Sequence, residues 1–95
     1  MAVKIIIKRK ISGDREAKVL PLLLQMRSQA MTQPGYISGE TLRDMENPEN
    51  VLVISTWQSA EVWKAWSNAR QRTEIAEKID AILGQRTEYN IYLYG

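Results

Sequence analysis

Three tryptophans, Trp57, Trp63 and Trp66, and the tyrosines Tyr36 and Tyr92 are the side chains of this 95-residue chain best suited to wall a pocket for a flat, apolar molecule. Asn68, Arg43, Arg70 and Arg72 are candidate hydrogen-bond donors to such a molecule. Glu40, Asp44 and Glu88 are the carboxylates near strand segments, and any of them can serve as a base if its surroundings raise its pKa. The chain has no histidine and no cysteine. Disulfides, thiolate metal sites and a cysteine nucleophile are therefore excluded, and the usual metal ligand and the commonest acid–base group at neutral pH are missing. No glycine-rich phosphate loop is present either. No catalytic residue, metal site or cofactor is assigned from the residues.

The elements that must position these groups follow from hydrophobic period. Val3 to Ile11 alternates, with Val3, Ile5 and Ile7 on one face and Lys4, Lys8 and Lys10 largely on the other, which predicts a strand. Ser12-Gly13-Asp14 supplies a turn and a cap for a helix over Arg15–Met31. Its predicted inner stripe is Leu20, Leu23, Leu24, Arg27 and Met31, with Val19, Leu22, Met26 and Ala30 beside it, and Pro21 should bend it. Gln33-Pro34-Gly35 ends the helix, and the strands Tyr36–Met45 and Val51–Trp57 form a hairpin through Glu46-Asn47-Pro48-Glu49-Asn50. Ser59 caps a short helix carrying Trp63 and Trp66. A break at Ser67-Asn68 precedes a second segment with Ile75, Ile79, Ile82 and Leu83 inward and Gly84 as its C-terminal cap. Thr87 to Tyr94 alternates as a last strand.

The order β-α-β-β-α-β predicts an α+β fold of the ferredoxin-like, split βαβ kind, one domain over residues 1–95, with a four-stranded antiparallel sheet under helices on one face. Several strands are apolar on both sides: Ile6 lies opposite to Ile5 and Ile7, and Leu52 and Ile54 opposite to Val51 and Val53. At this size a monomer buries roughly 65% of its unfolded surface. A second apolar sheet face calls for another sheet against it, and a second copy of the chain is the simplest supplier, so a homodimer is expected. With 13 basic and 11 acidic residues the net charge is +2, too weak a field for a nucleic-acid partner. No stretch approaches a membrane span or a signal-peptide core, so no membrane partner is expected and a cytoplasmic location is the default.

The segment Gln33-Pro34-Gly35-Tyr36-Ile37-Ser38-Gly39-Glu40-Thr41-Leu42-Arg43 resembles the second-strand signature of antibiotic biosynthesis monooxygenase domains. Ser55-Thr56-Trp57-Gln58-Ser59, followed by Trp63-Lys64-Ala65-Trp66, resembles their third strand and short helix. The resemblance implies a dimeric α+β barrel. It also implies either a cofactor-independent monooxygenase acting on an aromatic or quinol-type small molecule or a haem-degrading enzyme. The haem-degrading branch needs a histidine about ten residues after the position matched by Trp66, where this chain has Ala76, and a first-strand asparagine, where it has Ile6 and Ile7. That branch is set aside. For cofactor-free oxygenation, the protein must hold the ring, stabilise its anion and exclude water. The alternative is a non-catalytic module binding a small metabolite on the same dimeric fold.

Trp66, Asn68, Arg43 and Tyr36 are assigned to substrate binding, in a pocket between sheet and helices within each protomer. Trp66 reaches over the sheet from the short helix, and Asn68 stands at the helical break. A structural role competes at Trp66, as core, and at Asn68, as the polar break between the two helices. Trp57 and Trp63 are read as core or dimer anchors. Arg70 and Arg72 are read as solvated helix charges, and Lys8-Arg9-Lys10 as a rim strand with protective lysines. Tyr89, Tyr92 and Tyr94 are read as lining the last strand and the dimer seam.

Overall fold

The computed structural model describes residues 1–95. The chain runs β1 (Val3–Lys10), α1 (Gly13–Ala30), β2 (Tyr36–Arg43), β3 (Asn50–Trp57), α2 (Ala60–Ser67), α3 (Arg70–Leu83) and β4 (Tyr89–Leu93). The sheet order is β2-β3-β1-β4 with every neighbouring pair antiparallel, the expected ferredoxin-like arrangement. No helix is long and apolar enough to cross a membrane.

Strand alternation sets the two faces. The register pairs Val3 with Trp57, Ile5 with Ser55, Ile7 with Val53 and Arg9 with Val51, and all of these share the helix-covered face. The opposite face carries Lys4, Ile6, Lys8 and Lys10 from β1 against Thr56, Ile54, Leu52 and Asn50 from β3. Ile6, Leu52 and Ile54 there are half-buried in the single chain. β1 is central over Val3–Ile7, but β4 stops there, so Lys8-Arg9-Lys10 runs past it as a local edge whose Lys10 backbone is met by the Gln85 side chain. The two lysines are exposed on the open face, and Arg9 points the other way and is buried.

The helix layer corrects one expectation. In α1 the buried residues are Val19 and Met26, with Leu22, Leu23 and Ala30 half-buried, whereas Leu20, Leu24 and Met31 are exposed. The inner line lies on the flank of the predicted stripe, because α1 packs chiefly on α3 rather than flat on the sheet. Arg15 donates to the carbonyl of Leu83 at 3.0 Å, tying the start of α1 to the end of α3. Helix α1 continues through Pro21, whose missing N–H leaves the Ala17 carbonyl without its helical donor.

The break between the last two helices falls at Asn68 and Ala69, and Gly84 caps α3 in the left-handed conformation. Gly35 also has a positive φ of 85°, and a Cβ there would lie 2.6 Å from Val62 Cγ2. Only glycine lets the chain turn into β2 this close beneath α2.

Candidate functional site

A cavity of about 280 Å³ lies between α1 and the helix-covered face of the sheet. Its aromatic end is built from β3 and α2. Ser59 Oγ accepts the N–H of Val62 at 3.3 Å and starts α2. Trp63 and Trp66, three residues apart, then fall on one helical face and are buried against the sheet. Trp57, fully buried, donates through Nε1 to Ser55 Oγ at 3.0 Å. An edge-to-face ladder runs Tyr36–Trp57–Trp63–Tyr89, with centroids 5.4, 5.5 and 5.1 Å apart. Edge-to-face packing fixes ring planes, so these walls are rigid.

The outer side is laced by two arginines. Arg27 of α1 donates to the carbonyl of Gly39 in β2 at 3.1 Å. Arg43 of β2 pairs with Glu16 of α1 at 2.5 Å and donates to the Pro48 carbonyl at 3.0 Å. These bonds hold α1 off the edge of the sheet and leave the space beneath it. Leu20 and Leu24, exposed on α1, line that space, which accounts for large apolar side chains on the solvent side of a helix. Gly39 lets the Tyr36 hydroxyl lie close over the strand: a Cβ there would be 2.6 Å from it.

Of the residues assigned to substrate binding, Trp66, Tyr36 and Arg43 line the cavity, with Arg43 at its rim in the pair with Glu16. Asn68 does not join them. It is the exposed C-cap of α2, its backbone N–H bonded to the Lys64 carbonyl, because the break turns it outward to solvent. Trp57 and Trp63 are both core and cavity wall.

Two cavity residues run against the sequence reading. Arg72, taken for a solvated charge, is 5% exposed, with its guanidinium 5.1 Å from the centroid of Trp63. Arg9 is 6% exposed. Arg9 Nε and Nη2, Arg72 Nη2 and Trp63 Nε1 are all buried without a hydrogen-bond partner. The ion pairs of the chain, Arg43–Glu16 and Arg70–Glu74, include neither buried arginine. Asp80 attracts both guanidiniums electrostatically but accepts the N–H and hydroxyl of Thr87. Burial, and then the neighbouring charge of Arg72, push Arg9 down to about 10, so it remains a cation at neutral pH. Burial also lowers Arg72.

Both arginines were legible in the pattern. Arg9 shares the parity of Val3, Ile5 and Ile7, and Arg72 precedes Ile75, Ile79 and Leu83 at helical spacing. No group of three or more acidic, histidine or cysteine side chains is placed to hold a metal ion.

A four-stranded antiparallel sheet in the order β2-β3-β1-β4, with an aromatic cavity beneath α1, defines a ferredoxin-like α+β domain. The chain belongs to the antibiotic biosynthesis monooxygenase family, whose model matches residues 2–78. It is similar to the protein SchA of Streptomyces halstedii, 28% identical over 78 residues, a match spanning 82% of this chain and 20% of SchA. The chain thus spans about a fifth of the length of the curated relatives it matches. Among solved structures, a conserved protein from Methanosarcina mazei Go1 has a TM-score of 0.90 at 19% identity, covering 100% of this chain and 94% of that one. SnoaB, a cofactor-independent oxygenase from Streptomyces nogalater, has a TM-score of 0.84 at 14% identity, covering 99% and 93%. At these identities the likeness is one of fold.

Proposed function

We propose that this protein is a cofactor-independent monooxygenase acting on an aromatic or quinol-type small molecule bound beneath α1. The observation that carries the proposal is the cavity itself, walled by Trp57, Trp63, Trp66 and Tyr36 and sized for a small fused-ring ligand. Membership of the monooxygenase family and the fold shared with SnoaB support it. In such a reaction the deprotonated substrate gives one electron to dioxygen. The carbon radical and superoxide combine in a C–O bond, and the peroxide loses water to leave a carbonyl. A CH₂ group and one O₂ thus become C=O and H₂O, with no outside reductant. The cavity walls would exclude bulk water, and the arginines would stabilise the anion.

The same proposal includes a homodimer joined through the open sheet face. Ile6, Leu42, Leu52, Ile54 and Tyr92 share that face by register, an apolar surface on a small domain. Sedimentation that finds a folded monomer at micromolar concentration would remove the dimer.

A second reading is a non-catalytic metabolite-binding module, and the state of the carboxylates favours it. Of the two glutamates at the cavity, Glu16 is held by Arg43, and Glu40 is paired with Ile54 and so directs its carboxylate to the open sheet face. Incubation with hydroquinones and polyketide-like phenols, in air and under nitrogen, separates the two. Oxygen-dependent product from metal-free, flavin-free protein supports the enzyme; binding without turnover supports the module.

A further inference from the structure

The buried polar atoms of the cavity residues that lack a partner have one property in common. Arg9 Nε, Arg9 Nη2, Arg72 Nη2 and Trp63 Nε1 are all donors. The fifth buried atom without a partner, the acceptor Gln29 Oε1, lies on α1 and outside the cavity lining. Within the cavity the set is donors alone, three of them on two guanidiniums, which describes the complement of an anion. Its position is specific as well. On the covered face of β1, Arg9 lies between Ile7, packed with the tryptophans, and Ile11, packed with the aliphatic core. On α3, Arg72 lies just ahead of the aliphatic stripe Ile75, Ile79 and Leu83. Two cations from different elements thus stand at the same boundary inside the fold. Asp80 attracts both but forms no ion pair with either, its oxygens accepting from Thr87, and buried cations without an ion pair are unfavourable.

We propose that the cavity is a binding site for an aromatic carboxylate, with Arg9, Arg72 and the indole N–H of Trp63 holding the carboxyl group and the tryptophans holding the ring. The proposal rests on the assignment of this cavity as the substrate site and adds the charge that the substrate must carry. Carboxylate is favoured over phosphate on two counts. The two guanidiniums offer planar forks of N–H donors, which match the plane of a carboxylate. The remaining lining is aromatic and aliphatic, which suits a flat hydrocarbon body rather than a sugar or a polyphosphate. The cavity carboxylates do not compete for the arginines. Glu16 is engaged by Arg43 at the rim, and Glu40 is exposed on β2.

The experiment is equilibrium binding, under nitrogen, of naphthalene carboxylate and of its neutral amide, read by tryptophan fluorescence and calorimetry. The two probes share ring and shape and differ in charge. Wild-type protein should bind the carboxylate at least about tenfold more tightly than the amide, the minimum expected when a desolvated charge finds its partner. Arg9→Met and Arg72→Met should each weaken carboxylate binding about tenfold or more, with amide binding changed by no more than about twofold. Equal affinities in the wild type, or variants that lose both probes together, would overturn the proposal. Should a variant fail to fold, the wild-type ratio alone decides. Oxygenase activity is measured separately, so the two ideas fail separately. Tight carboxylate binding with no phenol ever oxygenated keeps the anion site and removes the oxygenase. Oxygenation of neutral quinols with no preference for the carboxylate does the reverse.

Discussion

The interior divides into two halves that the same sheet holds in different ways. One half is aliphatic: Ile11, Val19, Met26, Val51, Ile75, Ile79 and Leu83 pack where α1 and α3 meet. The other is aromatic: Val3, Ile5, Ile7, Trp57, Trp63 and Trp66 pack where α2 covers the start of β1 and the end of β3. The aliphatic half is filled by flexible side chains between helices in direct contact. The aromatic half is built of rings held edge to face, which cannot collapse into every gap, and it borders the open space beneath α1. The cavity runs between the two halves, lined by Ile11, Val19, Met26 and Val51 from the aliphatic one and by Ile7, Trp57, Trp63 and Trp66 from the aromatic one, with Arg9 and Arg72 also in its wall. Ile75, Ile79 and Leu83 lie outside it and serve stability alone.

The largest effect should come from the aliphatic half. Ile79 is fully buried, and Ile79→Ala should cost about 2–5 kcal/mol in urea denaturation. Affinity for an aromatic ligand in the folded fraction should not change. If that affinity falls with stability, the halves are not separable.

Trp66→Phe tests the other half. Trp66 is 2% exposed and lines the cavity, so the smaller ring should cost roughly 1–2 kcal/mol of stability. Unlike Ile79→Ala, it should also weaken ring binding, by about 0.5–1.5 kcal/mol, the value of an aromatic pair. Loss of stability with unchanged binding would make Trp66 core alone.

At the boundary the expected sign reverses. Arg72→Met removes a buried cation that has no ion pair and keeps most of the packing over Trp63. Thermal unfolding of the ligand-free variant should lie within about 1 kcal/mol of the wild type or above it. A large loss would show that Arg72 is a structural strut. Gly39→Ala should be milder in stability and sharper in binding, because the new Cβ would displace the Tyr36 hydroxyl from a distance of 2.6 Å. Melting temperature and ligand affinity, measured together, check it.

The fold was legible because its signals are local. Alternation in Val3–Ile7, the capping Ser59 and the terminal Gly84 each act within a few residues, and the element order follows from them. The site was legible where a side chain is both large and apolar, as at Trp66 and Tyr36. It was misread where charge and pattern disagree. Arg9 and Arg72 stand at inward positions, and the ordinary preference of arginine for solvent outweighed the period. For Asn68 the helical-break role holds and the place in the cavity does not: a polar residue at a break turns outward to solvent. The stripe of α1 could not be fixed from its own residues. Leu20 and Leu24 are as apolar as Leu22 and Leu23, and only the tertiary packing of Leu22 and Leu23 against the aliphatic cluster distinguishes them.

The smallest expected effect concerns acid, and it treats the two ends alike. At the end of β2, the Asp44 carboxylate accepts the N–H groups of Glu46 at 2.9 Å and Asn47 at 3.3 Å, which holds its pKa below the ordinary carboxylate value. Glu61 in the first turn of α2 is lowered by its own backbone N–H and by Ser59, and Asp14 in the first turn of α1 by Ser12 and its own N–H. In each case the folded state favours the ionised form. The stabilisation is therefore fully present above the unfolded-state value, near 4, and is lost as pH falls through the lower folded value. With no histidine in the chain, urea midpoints should be flat from pH 7 to about 5 and fall only below about 4. All three groups are fully exposed, so each contribution is small. Asp44→Asn and Glu61→Gln should each make the acid limb slightly shallower and lower the neutral-pH midpoint slightly. A steep fall already at pH 6, or an acid limb unchanged in both variants, would mean that other groups carry the acid sensitivity of the fold.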